Sequence, residues 1–238
     1  GQDAAAAHKQ VFIADRFLRD WTSVSFLLNA DYQPIPDGGQ VALDPGQSSL
    51  LFLWPYEDFS KVFASTSSPV TIQVLAGPLA QGDLDPQPHV GYLQVQIDSK
   101  RAAPSIDEAQ FANGLRLLGH TIEVIDARHW RLRTLWITDV PQSDAETFFV
   151  HLLLNHQPVN SADGDSGDGF YPAHLWRPGD VVIDQRTIEL PDQSDGGQLQ
   201  IEIGQYNRSS GERSQVVRSA QPVIDQAIVL GRPGQIGP

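Results

Sequence analysis

Residues Phe148 to Asp184 read FFVHLLLNHQPVNSADGDSGDGFYPAHLWRPGDVVID. Two apolar, strand-like runs flank a Gly/Asp loop. The phrase Trp176-Arg177-Pro178-Gly179-Asp180 places proline and glycine where a turn feeds the next strand. The stretch predicts a hairpin of an antiparallel β-sandwich, with Phe148–Leu154 as a central strand covered on both faces.

Working outward, the C-terminal half predicts about seven strands. Leu115–Ile125 supplies one or two. In Trp130–Ile137, Trp130, Leu132 and Trp136 fall on one face and Arg131 and Arg133 on the other. Val181–Leu190, Leu199–Tyr206 and Val223–Leu230 follow, and Asn207-Arg208-Ser209-Ser210-Gly211 has the composition of a hairpin loop. Seven short strands at this spacing predict a two-sheet sandwich, jelly-roll or immunoglobulin-like.

Toward the N-terminus, Val11, Ala14, Leu18 and Trp21 lie at helical spacing and predict a helix over Ala4–Trp21. Val24–Leu28, Ser49–Trp54, Val70–Leu75 and Gly91–Ile97 read as strands, the last alternating Leu93, Val95 and Ile97 with Gln94 and Gln96. The polar segment Ser99–Ile106, with Pro104, marks a boundary. The fold class expected is all-β: a small β-rich domain with an N-terminal helix over 1–105, then an antiparallel sandwich over 106–238. Glycine and proline make 37 of the 238 residues, a density that suits short strands and frequent turns.

The formal charge of −13 divides as −5 over 1–105 and −8 over the remainder. Such a balance repels phosphate backbones, so nucleic acid is not an expected partner. There is no cysteine, which excludes disulfides, thiolate metal sites and cysteine nucleophiles. Methionine is also absent, even at position 1, and the reading is that processing or cloning set the first residue. No apolar run reaches the roughly 18–20 residues that span a bilayer, which predicts a soluble segment.

The succession Phe149-Val150-His151-Leu152-Leu153, Gly169-Phe170-Tyr171-Pro172, Trp176-Arg177-Pro178-Gly179-Asp180-Val181-Val182-Ile183-Asp184, Leu190-Pro191, Ile203-Gly204-Gln205-Tyr206 and Gly211-Glu212-Arg213 resembles one module. It is similar to the C-terminal extracytoplasmic β-sandwich region of Chloroflexi-type membrane glycosyltransferases of family 39, which are protein-mannosyltransferase-like. The resemblance covers about residues 115–215. Before it, Phe17-Leu18-Arg19-Asp20-Trp21 and Pro55-Tyr56-Glu57-Asp58 look like the region just after that family's last membrane helix. The family's catalytic acidic residues lie in a membrane portion that this chain does not contain, so the resemblance carries over no catalytic residue. The loop Asp163-Gly164-Asp165-Ser166-Gly167-Asp168 is more acidic than the Gly/Pro-rich loop of the family pattern.

Each candidate site has a plainer reading beside it. No cofactor is expected; Asp163, Asp165 and Asp168 offer carboxylate oxygens to Ca²⁺ as the exception. Asp168 occupies the place of the EF-hand glycine and no glutamate closes the loop, so a solvated acidic tip is the alternative. Tyr171 and Trp176 are candidates for sugar stacking; the alternative is that Trp176 packs across the end of the sandwich. His120, His129, His151, His156 and His174 show no metal-ligand spacing, and His151 reads as a hydrogen-bonded core residue. Glu57, Asp58, Asp180, Asp184 and Glu189 are nominal acid–base candidates without a distinguishing pattern.

The function expected is a non-catalytic, extracytoplasmic accessory domain of a membrane glycosyltransferase, contacting a glycan or protein acceptor. Its tie to the membrane would run through a portion N-terminal to this chain. The alternatives are a free-standing carbohydrate-binding or adhesion protein and a glycoside-acting enzyme on a sandwich. Oligomeric state is not legible in the sequence.

Overall fold

A computed structural model describes residues 10–21, 23–24, 31–43, 46–59, 61–62, 66, 69–82, 86–99, 107–191 and 199–231. The chain is nearly all β and divides into two compact units, Gly1–Arg101 and Ala102–Pro238. Among the described residues no helix is long and apolar enough to cross a membrane.

The N-terminal unit is built on β1 (Gln10–Ala14), β2 (Gln33–Ile35), β3 (Ser49–Leu53), β4 (Thr71–Ala76) and β7 (Leu93–Asp98), with α1 (Asp15–Asp20) following β1 directly. A short ribbon pairs β5 (Leu79–Ala80) with β6 (His89–Val90). The main sheet is mixed: β1 runs parallel to both β2 and β3, while β7 pairs antiparallel with β3 and β4. In β7 the expected alternation holds, with Leu93, Val95 and Ile97 buried.

The long helix expected over Ala4–Trp21 is corrected. Residues 4–9 lie outside the described residues, and Gln10–Ala14 is a strand. The helical spacing of Val11 and Ala14 picks two members of Val11-Phe12-Ile13-Ala14, all of them buried. A run that is apolar on every side and rich in β-branched and aromatic residues suits an interior parallel strand better than a one-sided helix. Helix α1 is left with six residues, braced by Arg16–Asp20 and Arg19–Asp15 pairs one turn apart. Of the strand expected over Val24–Leu28, Val24 lies in a helical turn and residues 25–28 fall outside the described set.

The C-terminal unit contributes ten strands among the described residues, five to each of two sheets, and pairs them antiparallel within the unit. One sheet comprises β8 (Ala109–Phe111), β9 (Leu115–Val124), β10 (His129–Thr138), β13 (Val181–Glu189) and β15 (Val216–Ser219), in the order β15-β8-β9-β10-β13. The other comprises β11 (Glu146–Leu154), β12 (Gln157–Ser161), β14 (Leu199–Asn207), β16 (Val223–Ile224) and β17 (Ala227–Leu230), in the order β12-β11-β14-β17-β16. After the β8-β9-β10 meander the chain passes back and forth between the sheets. The sheets meet through inward side chains, Trp136 of β10 lying 5.2 Å from Phe148 of β11 between ring centroids. As the sequence predicts, Trp130, Leu132 and Trp136 are buried and Arg131 and Arg133 are not.

The expectation that Phe148–Asp184 forms one hairpin is corrected. Strand β11 pairs with β12 and β14, whereas β13 pairs with β10 of the other sheet. The hairpin in this stretch is β11–β12, closed by Asn155 and His156, both at positive φ. Two consecutive residues at positive φ match the right-handed twist of the flanking strands. Asp225 and Gln226 close β16–β17 the same way and split the strand expected over Val223–Leu230.

At the β8–β9 edge, Asp107 accepts hydrogen bonds from Gln110 (2.8 Å) and Arg116 (3.1 Å). Burial opposes ionisation of Asp107, but the bonds from Gln110 and Arg116 together outweigh it and hold the carboxyl below its ordinary range. A carboxyl depressed in the folded state contributes its full stability above the unfolded value, about 3.9, and loses it as pH falls through the folded value. Asp107→Asn is therefore expected to lower stability by about 1–2 kcal/mol at pH 6. The deficit should shrink as pH falls through the folded value, which melting temperatures of both proteins from about pH 2 to 6 will show.

Candidate functional site

The segment from Ala162 to Asp180 is held by side chains from three strands. Asp163 accepts from the Val150 amide (3.1 Å) and lies 3.3 Å from His151 Nε2, while His151 Nδ1 is 2.8 Å from Glu202. Asp165 is bound by the Thr147 hydroxyl (3.0 Å) and by Arg208. Arg186 of β13, largely buried and paired with Asp184 at 2.8 Å, donates to the carbonyls of Ala162 and Gly164. The loop is thus anchored along its first half, although Asp163 itself is exposed, as are Asp168 and Gly169 at its far end.

This arrangement corrects the calcium reading. Asp163, Asp165 and Asp168 do not converge: one carboxylate faces a histidine, the second a guanidinium, and the third stands at positive φ on the surface. Among the described residues no group of three or more histidine and carboxylate side chains could hold a metal ion. A cation at Asp165 would have to displace Arg208, which already neutralises that carboxylate.

Tyr171 and Trp176 come together, but inside the unit. Tyr171 is fully buried and Trp176 is 3 % exposed. The Trp176 ring stacks on Phe148 at 5.4 Å and 18°, lies 6.3 Å from Tyr171, and donates its indole N–H to the Tyr171 carbonyl at 3.0 Å. Phe148 passes the contact to Trp136, and Trp136 to Phe111 at 6.1 Å. Rings with no face in water cannot serve as a sugar platform, so the two are corrected from ligand-binding to core residues. Burial, with the Asp180 charge adding in the same direction, raises the Tyr171 hydroxyl well above the ordinary range and keeps it neutral.

The rest of the motif serves the same end. Arg177–Asp180 is a four-residue turn closed by the Asp180 amide on the Arg177 carbonyl (3.1 Å), with Pro178 second and Gly179 third at φ +90°. That is type II geometry, which requires positive φ at the third position. The Gly179 amide donates to the Thr138 carbonyl at 2.9 Å, and the fully buried Asp180 carboxylate is met by Arg177 Nε at 2.8 Å. The turn therefore starts β13 in register beside β10.

The remaining candidates are dispersed. His120 pairs with Glu108 and His129 with Asp126, each at 2.8 Å, while His156 sits in the β11–β12 turn and His174 is exposed. His151 is hydrogen-bonded as expected, but it lies on the outer face of its sheet, part-exposed, rather than in the core. Of the nominal acid–base carboxylates, Glu57 is held by Arg16, Asp180 by Arg177, Asp184 by Arg186 and Glu189 by Arg128. Asp58 is exposed.

The exposed rings are in the N-terminal unit. Trp21, at the end of α1, is 46 % exposed, and Tyr56, just after β3, is 57 % exposed. Between them lies Trp54, with ring centroids 5.9 Å from each. Phe17 supports both tryptophans, at 6.0 Å from Trp21 and 5.6 Å from Trp54. Arg16 lies 4.4 Å over the Trp54 ring and reaches Glu57 at 3.4 Å and Asp20 at 3.3 Å. A cleft of about 30 Å³ opens beside Trp54 and Glu57, walled by Ile35, Gly39, Asp58 and Phe59. Glu57 and Asp58 are among the nominal acid–base candidates, but no sequence signal marks the rings as a site: they come from two segments that meet only in the fold.

Comparison with known proteins adds no relative: no protein-family model and no curated protein matches the chain.

Proposed function

We propose that the chain is a non-catalytic accessory module of a membrane-bound glycosyltransferase, displayed outside the cytoplasm, where it contacts the glycan or protein acceptor. The reading rests on the resemblance of residues 115–215. One geometric observation supports it: the residues that carry the resemblance are those that fix the fold. Trp176 and Tyr171 are stacked inside, Asp180 is buried against Arg177, and Pro178-Gly179 sets the entry to β13. A motif consumed by packing points to a shared scaffold rather than a shared reaction.

The test is to read the native gene upstream of this segment and delete the module from the encoded protein. The expected result is a series of apolar runs of spanning length, and membranes in which deletion lowers transfer to the native acceptor while the membrane portion still accumulates. A gene encoding only a signal peptide before this segment would contradict the proposal. So would turnover of aryl glycosides by the purified chain. The first of those outcomes would favour a free-standing carbohydrate-binding protein, the reading that the exposed rings of the N-terminal unit also suit.

A further inference from the structure

We propose that Trp21, Trp54 and Tyr56 form a shelf that binds a neutral oligosaccharide, with Arg16, Glu57 and the adjoining cleft as its polar edge. The inference deepens the accessory-module reading by giving the acceptor glycan a place, and that place is not the buried pair Tyr171 and Trp176.

Three aromatic rings in a row, Trp54 tilted 31° from Trp21 and edge-on to Tyr56 at 71°, two of the three about half exposed, form a patch of a kind that soluble surfaces keep for a ligand or partner. The rings are held rather than loose. Phe17 packs against both tryptophans, and Arg16 covers one face of Trp54 while being fixed by Glu57 and Asp20. A shelf so braced loses little freedom when a ligand arrives. Trp21 and Tyr56 are each 5.9 Å from Trp54, so they stand at most twice that spacing apart, within reach of adjacent units of one short oligosaccharide.

The surroundings decide the chemistry of the occupant. A pyranose presents C–H faces that suit an aromatic ring and a rim of hydroxyls that both donate and accept. Beside the rings stand the Glu57 and Asp58 carboxylates and the Arg16 guanidinium, which supply acceptors and donors at that rim. The cleft, about 30 Å³, holds about two water molecules. It matches one hydroxymethyl arm, not a whole ring.

Charge argues against an anionic occupant. Beside the shelf, Asp20 and Glu57 both engage Arg16 and Asp58 lines the cleft, while Arg19 of the same helix is engaged by Asp15 and Asp37. An acidic polysaccharide, a nucleic acid or an anionic lipid surface would meet net repulsion there. A neutral glycan would not.

The test titrates the purified chain with neutral trisaccharides of glucose, mannose and galactose by calorimetry and by saturation-transfer NMR. It is repeated with Tyr56→Ala and Trp21→Ala, whose exposed positions leave the fold intact, as circular dichroism and melting temperature will verify. The expected result is binding of at least one trisaccharide, weakened at least tenfold in each variant and unchanged in Val217→Ala, a substitution in the other unit. Binding that survives both shelf variants would overturn the proposal. So would binding of none of the sugars, or adsorption of the chain to zwitterionic phosphatidylcholine vesicles that Trp21→Ala abolishes, which would make the shelf a membrane-interface anchor. None of these failures touches the accessory-module reading, which is tested separately by deletion in the full-length protein.

Discussion

Trp176→Ala is expected to lower the unfolding free energy of the C-terminal unit by about 4 kcal/mol. The indole lies between Phe148 and Tyr171 with 3 % of its surface exposed, so alanine removes the stacked ring and opens a cavity that rigid aromatic neighbours cannot fill. It also leaves the Tyr171 carbonyl without the indole N–H that donates to it at 3.0 Å. Trp176→Phe separates the two losses. It keeps an aromatic ring and gives up the hydrogen bond, and should cost about 1–2 kcal/mol. Urea unfolding followed by near-ultraviolet circular dichroism measures both. A loss below 1 kcal/mol for the alanine variant would mean that the ring is not part of the core.

Gly204→Val is expected to cost about 3 kcal/mol, by overpacking rather than by a cavity. Gly204 of β14 stands opposite Phe149 of β11, and the Phe149 ring lies across it so closely that an added Cβ would fall 2.5 Å from the ring's Cζ. A glycine that gives an aromatic ring of the neighbouring strand room to lie on the sheet is a recurrent way to stiffen a strand pair. Phe149 cannot simply lift away, because Arg213 sits 4.5 Å over its ring and is itself tied to Glu202 at 3.1 Å. Calorimetric unfolding of the variant should show the loss, and Gly204→Val combined with Phe149→Ala should cost less than the sum of the two single losses, since the smaller residue vacates the space. A melting temperature equal to that of the parent protein would contradict the packing described.

Much of the fold was legible where polarity alternates strictly. Leu93–Ile97 and Trp130–Trp136 declare a strand with one wet face, and both are strands with that face buried or exposed as read. Legibility failed where a segment is apolar all round. Val11–Ala14 satisfies a helical spacing and a strand equally well, and only its parallel pairing between β2 and β3 decides. The β11–β12 hairpin went unread because Asn155-His156 lacks the glycine that usually signals such a turn, although asparagine at positive φ is tolerated. The link from β11 to β13 looked like a hairpin because sequence proximity suggests pairing. Arg186 and the Trp176–Asp180 turn instead carry the chain to the other sheet.

The candidate site was less legible than the fold, for a related reason. Tyr171 and Trp176 drew attention because aromatic residues beside a polar loop suit both a surface platform and a core plug. The deciding contact, with Phe148, comes from another strand. The loop carboxylates looked like a cation site until their partners Thr147, His151 and Arg208 were in place. The exposed rings at Trp21 and Tyr56 belong to segments separated by more than thirty residues, and neither segment alone distinguishes a shelf from a core strand.

Trp176 lies inside and Trp21 outside, and fluorine NMR of the intact protein labelled with 5-fluorotryptophan tests that assignment most directly. The five tryptophan resonances are assigned by single Trp→Phe variants, and a soluble paramagnetic agent is then added. Strong broadening of Trp21 is expected, with Trp136 and Trp176 unaffected. Broadening of Trp176 to the same degree as Trp21 would contradict that assignment and return the Tyr171–Trp176 pair to the surface as a candidate platform.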